Sequence, residues 1–443
     1  MKYGIRVEIE MSTQQQQQQQ QQDVEMSSVV PPHEQQKPIN SQLANVNKNV
    51  LNKSAGESGT QSITQSKDYH YLPTIDVQYD WQLYLQSESD CFWLTYRDQL
   101  NHSVHSSVRT TKLSKDNYKL ETENNFTIES SAVTIDKYFN LQITSLGVSS
   151  EGSVVAYGSS DGILEIMETE TGHVRRKLQG HAGDVDVAKF FPSGKVLLSG
   201  ASDARLKIWD ALEGNCATTL TGHTGGITSA SFVERGRNLV STSRDGSARL
   251  WDIPTASTIQ TLHTSNRPVN DCFVYSSCNM SDDKDLVTFD EREFGTDGKL
   301  VLLALEDGSL LINDIRSNKI FSQVSSTNHK SAFNCCAVLG NQIYGGDEDG
   351  CIYQYDKRNL DKQLSIFQFC KSPIQQLKID PNGSEKLLWC TAADGSVVAV
   401  DMSKQVIARS LSGIDTDIVT ALDFSMNHAF TTTRDPFIRI YDF

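Results

Sequence analysis

The sequence predicts an all-β protein: a seven-bladed β-propeller that follows a disordered N-terminal leader and a small N-terminal segment. Three observations predict this fold class. A turn that contains aspartate recurs seven times, a short apolar strand pattern precedes each turn, and a glutamine-rich composition is confined to the first part of the chain. A chain of 443 residues has room for a propeller together with such a leader.

Residues 1–68 are predicted to be the disordered leader. Residues 14–22 are an unbroken run of glutamine, and the rest of this stretch is rich in serine, glutamine and asparagine. Such a composition buries too little apolar surface to offset the entropy lost on ordering. We interpret the leader as inert, with glutamine-driven association as the alternative.

Residues 69–125 are predicted to be a small N-terminal domain or extension. Aromatic side chains begin at Tyr69, and residues 79–85 and 92–96 form two short apolar segments. A stretch of this size is too short for a core of its own, so we expect it to pack against the repeats that come after it in the chain. The propeller is predicted over residues 126–443.

The strongest signal is the turn aspartate, which glycine follows in five of the seven repeats. Six residues after the aspartate, two repeats have tryptophan, and the next position is acidic in all seven. The turn aspartates are Asp161, Asp203, Asp245, Asp307, Asp349, Asp394 and Asp435. Seven matches in phase predict seven copies of one structural unit.

A second pattern fixes where each unit begins. Apolar–polar runs start 16 to 20 residues before every turn aspartate except the fourth, where an insertion at 276–298 lengthens the interval. The runs begin at Ile143, Val185, Ile227, Val269, Phe333, Ile374 and Val419. A period of about 40 residues is typical of WD repeats, in which four strands form each blade.

Two repeats carry the full set of side chains that forms a hydrogen-bonded relay in WD repeats, in which aspartate orients histidine, histidine reaches serine, and serine meets the tryptophan N–H. They are His181, Ser199, Asp203 and Trp209 in the second repeat, and His223, Ser241, Asp245 and Trp251 in the third. We interpret these eight residues as structural. A hydrolytic triad is rejected because the trio occurs twice and its serine lies on a strand beneath tryptophan.

The sequence contains no P-loop and no H-E-x-x-H motif that would indicate catalytic chemistry. None of the nine cysteines forms a C-x-x-C pair, so free, mostly buried thiols are expected rather than a metal site. We therefore expect a protein that is not an enzyme, with no catalytic, cofactor-binding or metal-binding residues.

Net charge and hydropathy narrow the choice of partners. A formal charge of −15 argues against nucleic acid, because phosphate binding requires concentrated lysine and arginine. No apolar run reaches membrane-spanning length and no signal-peptide pattern opens the chain, so no membrane is expected. We expect a monomer in the cytoplasm and possibly the nucleus.

The last repeat ends only one residue after its third strand. A ring left in this state would expose an unpaired edge, which soluble proteins avoid. We therefore expect residues 126–135, an apolar–polar alternation upstream of the first repeat, to supply the missing outer strand beside the strand that ends at Asp442.

Acidic side chains outside the relay are predicted to gather on the face that holds the aspartate turns. This negative face would speed encounter with a basic partner, although ordinary turn chemistry explains acids there equally well. The candidate contacts are Asp184, Asp186, Glu306, Asp347, Glu348, Asp415 and Asp417. The insertion at 276–298 has a net charge of −5 and joins the first two strands of blade four, so it lies on the opposite face as a flexible acidic loop or a second docking site.

Several segments of the repeats resemble one family. The segments are FFPSG at 190–194, HTGGI at 223–227, RGRNLVS at 235–241, RDGSARLWD at 244–252 and FNCC at 333–336. Together they resemble the proteasomal ATPase-associated factor family of WD-repeat proteins, most densely over 178–252. The resemblance implies a non-catalytic assembly chaperone that binds the C-terminal domains of ATPase subunits of the proteasome regulatory particle. It also implies that binding limits premature association with the core particle.

A substrate receptor for a cullin-type ubiquitin ligase is the alternative, since many WD-repeat proteins have that role. Its usual mark is W-D-x-R at the end of a third strand. Here Trp209 and Trp251 lead into Asp-Ala-Leu and Asp-Ile-Pro, with no arginine.

Overall fold

The computed structural model describes residues 142–442 with gaps at 277–289, 326–330, 369, 380–386, 405, 413–417, 427 and 435–436, and gives the backbone alone at 359–362, 406 and 412. Further upstream it describes the backbone of eight strands. They are β1 (Ile75–Val77), β2 (Gln82–Gln86), β3 (Cys91–Arg97), β4 (Leu100–Ser103), β5 (Val108–Lys112), β6 (Tyr118–Thr122), β7 (Thr127–Ser130) and β8 (Val133–Asp136).

Blades one to three are antiparallel sheets of four consecutive strands. Blade one has β9 (Ile143–Val148), β10 (Val154–Ser159), β11 (Leu164–Glu168) and β12 (Val174–Leu178). Blade two has β13 (Val185–Phe190), β14 (Val196–Ala201), β15 (Arg205–Asp210) and β16 (Cys216–Thr221). Blade three has β17 (Ile227–Val233), β18 (Asn238–Ser243), β19 (Ser247–Asp252) and β20 (Ser257–Thr264).

The later blades repeat the pattern. Blade four has β21 (Val269–Ser276), β22 (Lys299–Leu305), β23 (Ser309–Asp314) and β24 (Ile320–Ser325), and blade five has β25 (Phe333–Leu339), β26 (Gln342–Asp347), β27 (Cys351–Asp356) and β28 (Asn359–Gln368). Blade six has β29 (Ile374–Ile379), β30 (Leu387–Ala392), β31 (Val397–Asp401) and β32 (Val406–Ser412), and blade seven has β33 (Val419–Phe424), β34 (His428–Thr433) and β35 (Phe437–Asp442). In the part of the chain that the structure describes, these sheets make seven blades, and the predicted fold class is confirmed.

In blades one, two, three, four and six, the turn between the second and third strands is shaped by its aspartate, which accepts a hydrogen bond from the N–H two residues further on. In blade three, Asp245 Oδ1 accepts a hydrogen bond from the Ser247 N–H at 2.8 Å, and Gly246 has a φ of +79°. In blade two, Asp203 makes the equivalent bond to the Arg205 N–H at 3.1 Å. Its next residue, Ala204, adopts a φ of +63° without being glycine. The aspartate therefore holds a tight turn even where the residue after it is strained.

The hydrophobic core lies between neighbouring blades. Trp209 of blade two packs with Ala156, Leu164 and Ile166 of blade one, and Trp251 packs in the same way with apolar residues of blade two. The exposed fraction of these two tryptophans is 2% and 0%. Each blade therefore depends on its neighbour for the burial of its largest side chains.

The ring is closed by the upstream strands. Strand β8 pairs antiparallel with β35, with Val133 opposite Ile440 and Ile135 opposite Ile438. Strand β7 instead pairs in parallel with β32 of blade six, and β6 and β5 extend that sheet to seven strands. The closure prediction for 126–135 is therefore right for 133–135 and wrong for 127–130. The outer edges of blades six and seven are neighbours on the ring, so a chain that passes both edges pairs with each in turn.

Candidate functional site

The relay side chains of blades two and three lie in hydrogen-bonding order. In blade two, Asp203 Oδ2 is 3.0 Å from His181 Nδ1, and His181 Nε2 is 2.7 Å from Ser199 Oγ. Trp209 Nε1 completes the chain by donating to Ser199 Oγ at 2.8 Å. The relay thus connects the turn to the third strand through four consecutive side chains.

Blade three repeats this geometry almost without change. Asp245 Oδ2 is 2.9 Å from His223 Nδ1, His223 Nε2 is 2.8 Å from Ser241 Oγ, and Trp251 Nε1 donates to the same serine at 2.8 Å. Ser241 is fully buried. Because the indole and the imidazole both engage its hydroxyl, this serine is held as a structural link and has no path to a substrate.

Burial and hydrogen bonding set the ionisation of the relay. Burial lowers the pKa of His181 and of His223, which favours the neutral imidazole. Burial alone would raise the pKa of Asp245, but hydrogen bonds from Ser247, from the Thr224 N–H and from His223 outweigh it and hold the pKa well below its usual range. The relay therefore consists of a carboxylate and a neutral imidazole, which is a stable arrangement at neutral pH.

The turn face comprises the turns between second and third strands and the segments that lead into the first strands. Of the candidate contacts on this face, Asp184, Glu306 and Glu348 are exposed. Asp186 is partly buried: it accepts a hydrogen bond from Ser202 Oγ at 3.3 Å and lies 3.9 Å from Arg244, and burial raises its pKa. Asp186 is therefore held mainly by its own neighbours.

Asp347 corrects the expectation for this face, because its side chain is fully buried. Its Oδ1 accepts hydrogen bonds from the N–H groups of Asp349 at 3.0 Å and Cys351 at 2.7 Å, so it shapes the turn and is not placed to touch a partner. Ser243 stands at the equivalent position of blade three, two residues before the turn aspartate, and its Oγ accepts a hydrogen bond from the Asp245 N–H. Burial raises the pKa of Asp347 to about 6. Asp415 and Asp417 lie outside the described residues.

Exposed carboxylates concentrate in two adjacent turns of blades four and five. The set consists of Glu306, Asp307, Glu348 and Asp349, and we call it the acidic sector. Sequence reasoning left out Asp307 and Asp349 because the relay uses the equivalent residues of blades two and three. In blade four the position four residues before the first strand, where blades two and three have the relay histidine, is Ser265, and this signal in the sequence could have identified Asp307 as exposed.

Exposed cationic side chains also lie on the turn face. Arg244 of blade three and Arg434 of blade seven lie away from the acidic sector, whereas Arg267, in the segment before β21, belongs to blade four itself. The face is thus polarised rather than uniformly negative. A basic partner would be steered toward blades four and five.

A cavity of about 450 Å³ is lined by the first strands of six blades, two to seven. Its charged groups brace neighbouring blades: Lys189 Nζ donates to the Ala230 carbonyl at 2.6 Å, and Asp271 Oδ2 accepts from the Cys336 N–H at 3.0 Å. Lys378 and Asp423 lie 3.5 Å apart on its wall. We therefore interpret the cavity as part of the ring's own framework.

The cysteines that the structure describes with their side chains are free thiols, and Cys216 is the exposed one among them. Burial raises the pKa of Cys272 to about 12 and that of Cys351 to about 12. Such thiols are protonated at neutral pH and behave as small apolar side chains. In the same described part of the chain, no helix has the length and apolar character needed to cross a membrane.

The blade geometry and the two relays define the class of this protein as a WD-repeat β-propeller. The family described as "WD domain, G-beta repeat" matches residues 172–210 and 214–252, which contain both relays. The chain belongs to the proteasomal ATPase-associated factor 1 family, and the resemblance of the repeat segments is confirmed.

Three relatives illustrate the extent of the similarity. A Dictyostelium discoideum protein named "Probable proteasomal ATPase-associated factor 1" is 48% identical over 418 residues, which cover 86% of this chain and 98% of the relative. The Homo sapiens "Proteasomal ATPase-associated factor 1" is 42% identical over 313 residues, or 70% of this chain and 77% of the relative. A Drosophila willistoni "WD repeat-containing protein 55 homolog" is 32% identical over 104 residues, or 23% of this chain and 20% of the relative.

Proposed function

We propose that this protein is a non-catalytic scaffold that binds ATPase subunits of the proteasome regulatory particle through their C-terminal domains. In this role it acts as an assembly chaperone and limits premature association of the regulatory particle with the core particle. Family membership supports the proposal, because the relatives are named for association with a proteasomal ATPase. Among the observations on this chain, the acidic sector gives the proposal its main support.

The binding mode follows from where the carboxylates lie. Glu306 and Glu348 project from neighbouring turns of blades four and five and are exposed, so a basic surface can approach both at once. Charges at the rim of an interface mainly raise the association rate and its dependence on salt. A bound propeller of this size would then obstruct the approach of a second large particle by its bulk, with no chemical step.

The fold itself supports a scaffold rather than a catalyst. In blades two and three the Ser–His–Asp trios are internal links beneath Trp209 and Trp251, with the serines fully buried. We propose a monomer that is present in the cytoplasm and possibly the nucleus and binds neither nucleic acid nor membranes.

The alternative, a cullin ligase substrate receptor, is weakened by the ends of the third strands. Asp210 and Asp252 follow the two tryptophans, and each carboxylate accepts hydrogen bonds within its own turn, as from the Leu212 N–H at 2.8 Å. Arg316 and Arg358 approximate the expected arginine, without the tryptophan, and each forms an ion pair, with Asp297 at 2.6 Å and Asp356 at 2.7 Å.

The direct experiment is to immobilise the full chain and measure binding of each purified ATPase C-terminal domain by biolayer interferometry. We expect one or a few of these domains to bind, faster at low salt than at high salt. Affinity purification from cytosol should recover regulatory-particle ATPases. Recovery of cullin adaptor subunits with no ATPase would overturn the proposal.

A further inference from the structure

The outer strand of blade four, β24, exposes two large apolar side chains in succession. Ile320 is 61% exposed and Phe321 is 56% exposed. Ile320 and Ser322 pair with consecutive residues of β23, so Phe321 between them is the extra residue of a β-bulge. Leu364 has the same bulge position on β28 of blade five, which contacts β24, and it is 46% exposed. We call Ile320, Phe321 and Leu364 the apolar rim.

The bulge recurs at this place in blades one, two, three and six, but its residue differs there. It is the exposed Arg175 in blade one and the small Ala217 in blade two, while Ile259 in blade three and Ala408 in blade six are partly buried. Native edge strands are usually protected by charge or by a covering segment. The apolar rim has neither kind of protection in the described residues, and exposed apolar patches of this kind are typical of interaction sites.

Blade six shows what such an edge can accept. Directly after its bulge, residues 409–412 of β32 pair in parallel with residues 127–130 of β7, which adds a further strand to the blade. The equivalent residues of blade four are 322–325, directly after Phe321. None of the described strands pairs with their outer side. The addition of β7 to β32 is therefore a template, within the same molecule, for the addition of a strand to β24.

The composition of this edge favours such an addition. Residues 322–325 are Ser-Gln-Val-Ser, without a charged side chain, and they alternate between partly buried and exposed. In blade one the equivalent stretch begins with Arg176 and Lys177, both exposed. Because lysine and arginine on an edge discourage the addition of another strand, β12 is protected in a way that β24 is not.

The direction of an added strand decides which charges it meets. A strand parallel to β24 would begin beside the apolar rim and end about 13 Å further on, at the turn face. There Ser325 pairs with Ser309, whose N–H donates to Asp307 Oδ1 at 3.0 Å. Glu306 and Asp307 in this turn are exposed, and neither has an ion pair among the described residues. Arg267 of the same blade precedes β21, the strand farthest from β24 in the sheet.

We propose that β24 is an acceptor strand, which binds an extended segment of a partner protein in parallel, as a fifth strand of blade four. The segment begins with alternating apolar side chains, which cover Ile320 and Phe321, and ends with basic residues, which approach Glu306 and Asp307. Backbone hydrogen bonds to residues 322–325 hold it in place. The chemistry of the segment defines the occupant, so this inference does not rest on the proposed function.

The test uses a short fluorescein-labelled peptide in which valine and threonine alternate and two lysines follow, titrated with the full-length protein while fluorescence anisotropy is measured. We expect Phe321→Ser to weaken binding at least about tenfold. Leu212→Ser is the matched control, because Leu212 is also 56% exposed but lies in a turn of blade two. It should change the affinity by less than about twofold. Both variants should melt as the wild type does, since both side chains are exposed.

Two further peptides separate strand addition from general attraction to an acidic protein. The first has the same residues in reverse order, so that a parallel strand would place its lysines at the apolar rim, and it should bind at least about tenfold more weakly. The second is N-methylated at every other backbone nitrogen and is made in both registers. One register removes the N–H groups that face β24 and should weaken binding at least about tenfold. Equal affinity of the reversed peptide, or of both methylated registers and the parent, would overturn the proposal.

The rival occupant is a second copy of this chain, which sedimentation of the protein alone tests. We expect a monomer at all concentrations; a dimer that Phe321→Ser abolishes would assign the edge to a second copy and overturn the proposal. A photo-crosslinking residue at position 321 should capture the peptide, whereas one at 212 should not. Equal capture at the two positions would also contradict it. Binding of ATPase domains without binding of the peptide would refute this inference alone and leave the proposed function standing.

Discussion

Asp423 of blade seven accepts a hydrogen bond from the Val148 N–H of blade one at 2.8 Å, across 275 positions of sequence. This contact joins the last blade to the first on the inner side of the ring, and Lys378 of blade six lies 3.5 Å from the same carboxylate. The ring is therefore closed in two places: by the Asp423–Val148 hydrogen bond on its inner side and by the pairing of β8 with β35 on its outer side.

We predict that Asp423→Leu lowers the free energy of unfolding by about 1–3 kcal/mol, because it leaves a partly buried N–H without its acceptor. Asp423→Asn keeps an acceptor oxygen and should cost less. Urea unfolding followed by tryptophan fluorescence measures both. Equal losses in the two variants would show that the charge, and not the hydrogen bond to Val148, matters.

Two substitutions in the relay of blade three should lower the free energy of unfolding by different amounts. Trp251→Ala should cost about 3–5 kcal/mol, as large-to-small changes in a core do. Ser241→Ala should cost about 1–3 kcal/mol, because it leaves the indole N–H and a histidine nitrogen without their partner. Leu212→Ala is the control: this leucine is 56% exposed, and the change should stay within about 0.5 kcal/mol. A Trp251→Ala variant as stable as the control would contradict the blade assignment.

Asp347 predicts an unusual dependence of stability on pH. Its pKa in the folded state is about 6, above the ordinary value of 3.8, so the folded state binds this proton more tightly than the unfolded state does. The cost of burying the charge is thus fully present above about pH 6 and disappears as the pH falls toward 3.8. Asp347→Asn should raise the melting temperature at pH 8 and do so much less at pH 4. Glu348→Gln, at an exposed neighbouring position, is the control and should leave the melting temperature unchanged at both pH values. The prediction fails if Asp347→Asn changes the melting temperature equally at the two pH values.

The acidic sector predicts a kinetic effect on binding. Glu306→Lys with Glu348→Lys should slow association with an ATPase C-terminal domain, most visibly at low salt, and leave the melting temperature nearly unchanged. Glu170→Lys with Glu213→Lys changes the net charge equally at exposed positions away from the turn face and should have a much smaller effect. Unchanged association rates in the first variant would show that the acidic sector does not guide binding.

Ring closure predicts the outcome of truncation. Removing residues 1–68 should leave the folding of the ring intact, since β7 and β8 remain. Removing residues 1–136 deletes both strands and exposes the edges of β32 and β35, so an insoluble product is expected. Sedimentation and thermal melting of the purified fragments measure this. A soluble fragment 137–443 with a cooperative melting transition would show another route to closure.

The repeat could be predicted because it does not depend on any one side chain. Gly345 replaces the relay serine in blade five, yet the spacing of Phe333 and Asp349 still places that blade in phase. The relay pairs in blades two and three were likewise legible in the sequence, because four residue types recur at one spacing.

Features that depend on neighbours in space could not be predicted in this way. Asp347 looks like any turn acid, and only the packing around β26 makes it buried. The destination of β7 depends on which blade edge lies nearest in the folded ring. Asn238, fully buried at the start of β18, has no sequence signal at all, because its hydrogen-bond partners, the Arg292 carbonyl and the Phe294 N–H, lie more than 50 positions away.

The order in which the chain leaves the ribosome conflicts with the order in which the ring closes. Strands β7 and β8 are synthesised before blade one, but their partners β32 and β35 come at the far end of the chain. At about 5–20 residues per second, roughly 15 to 60 seconds separate the two events. During that interval β8 lacks β35 and β7 has only β6 beside it in the nascent protein. The final seam at blades six and seven is therefore made only after translation is nearly complete, and it is the step most exposed to competition from other unpaired strands in the cell.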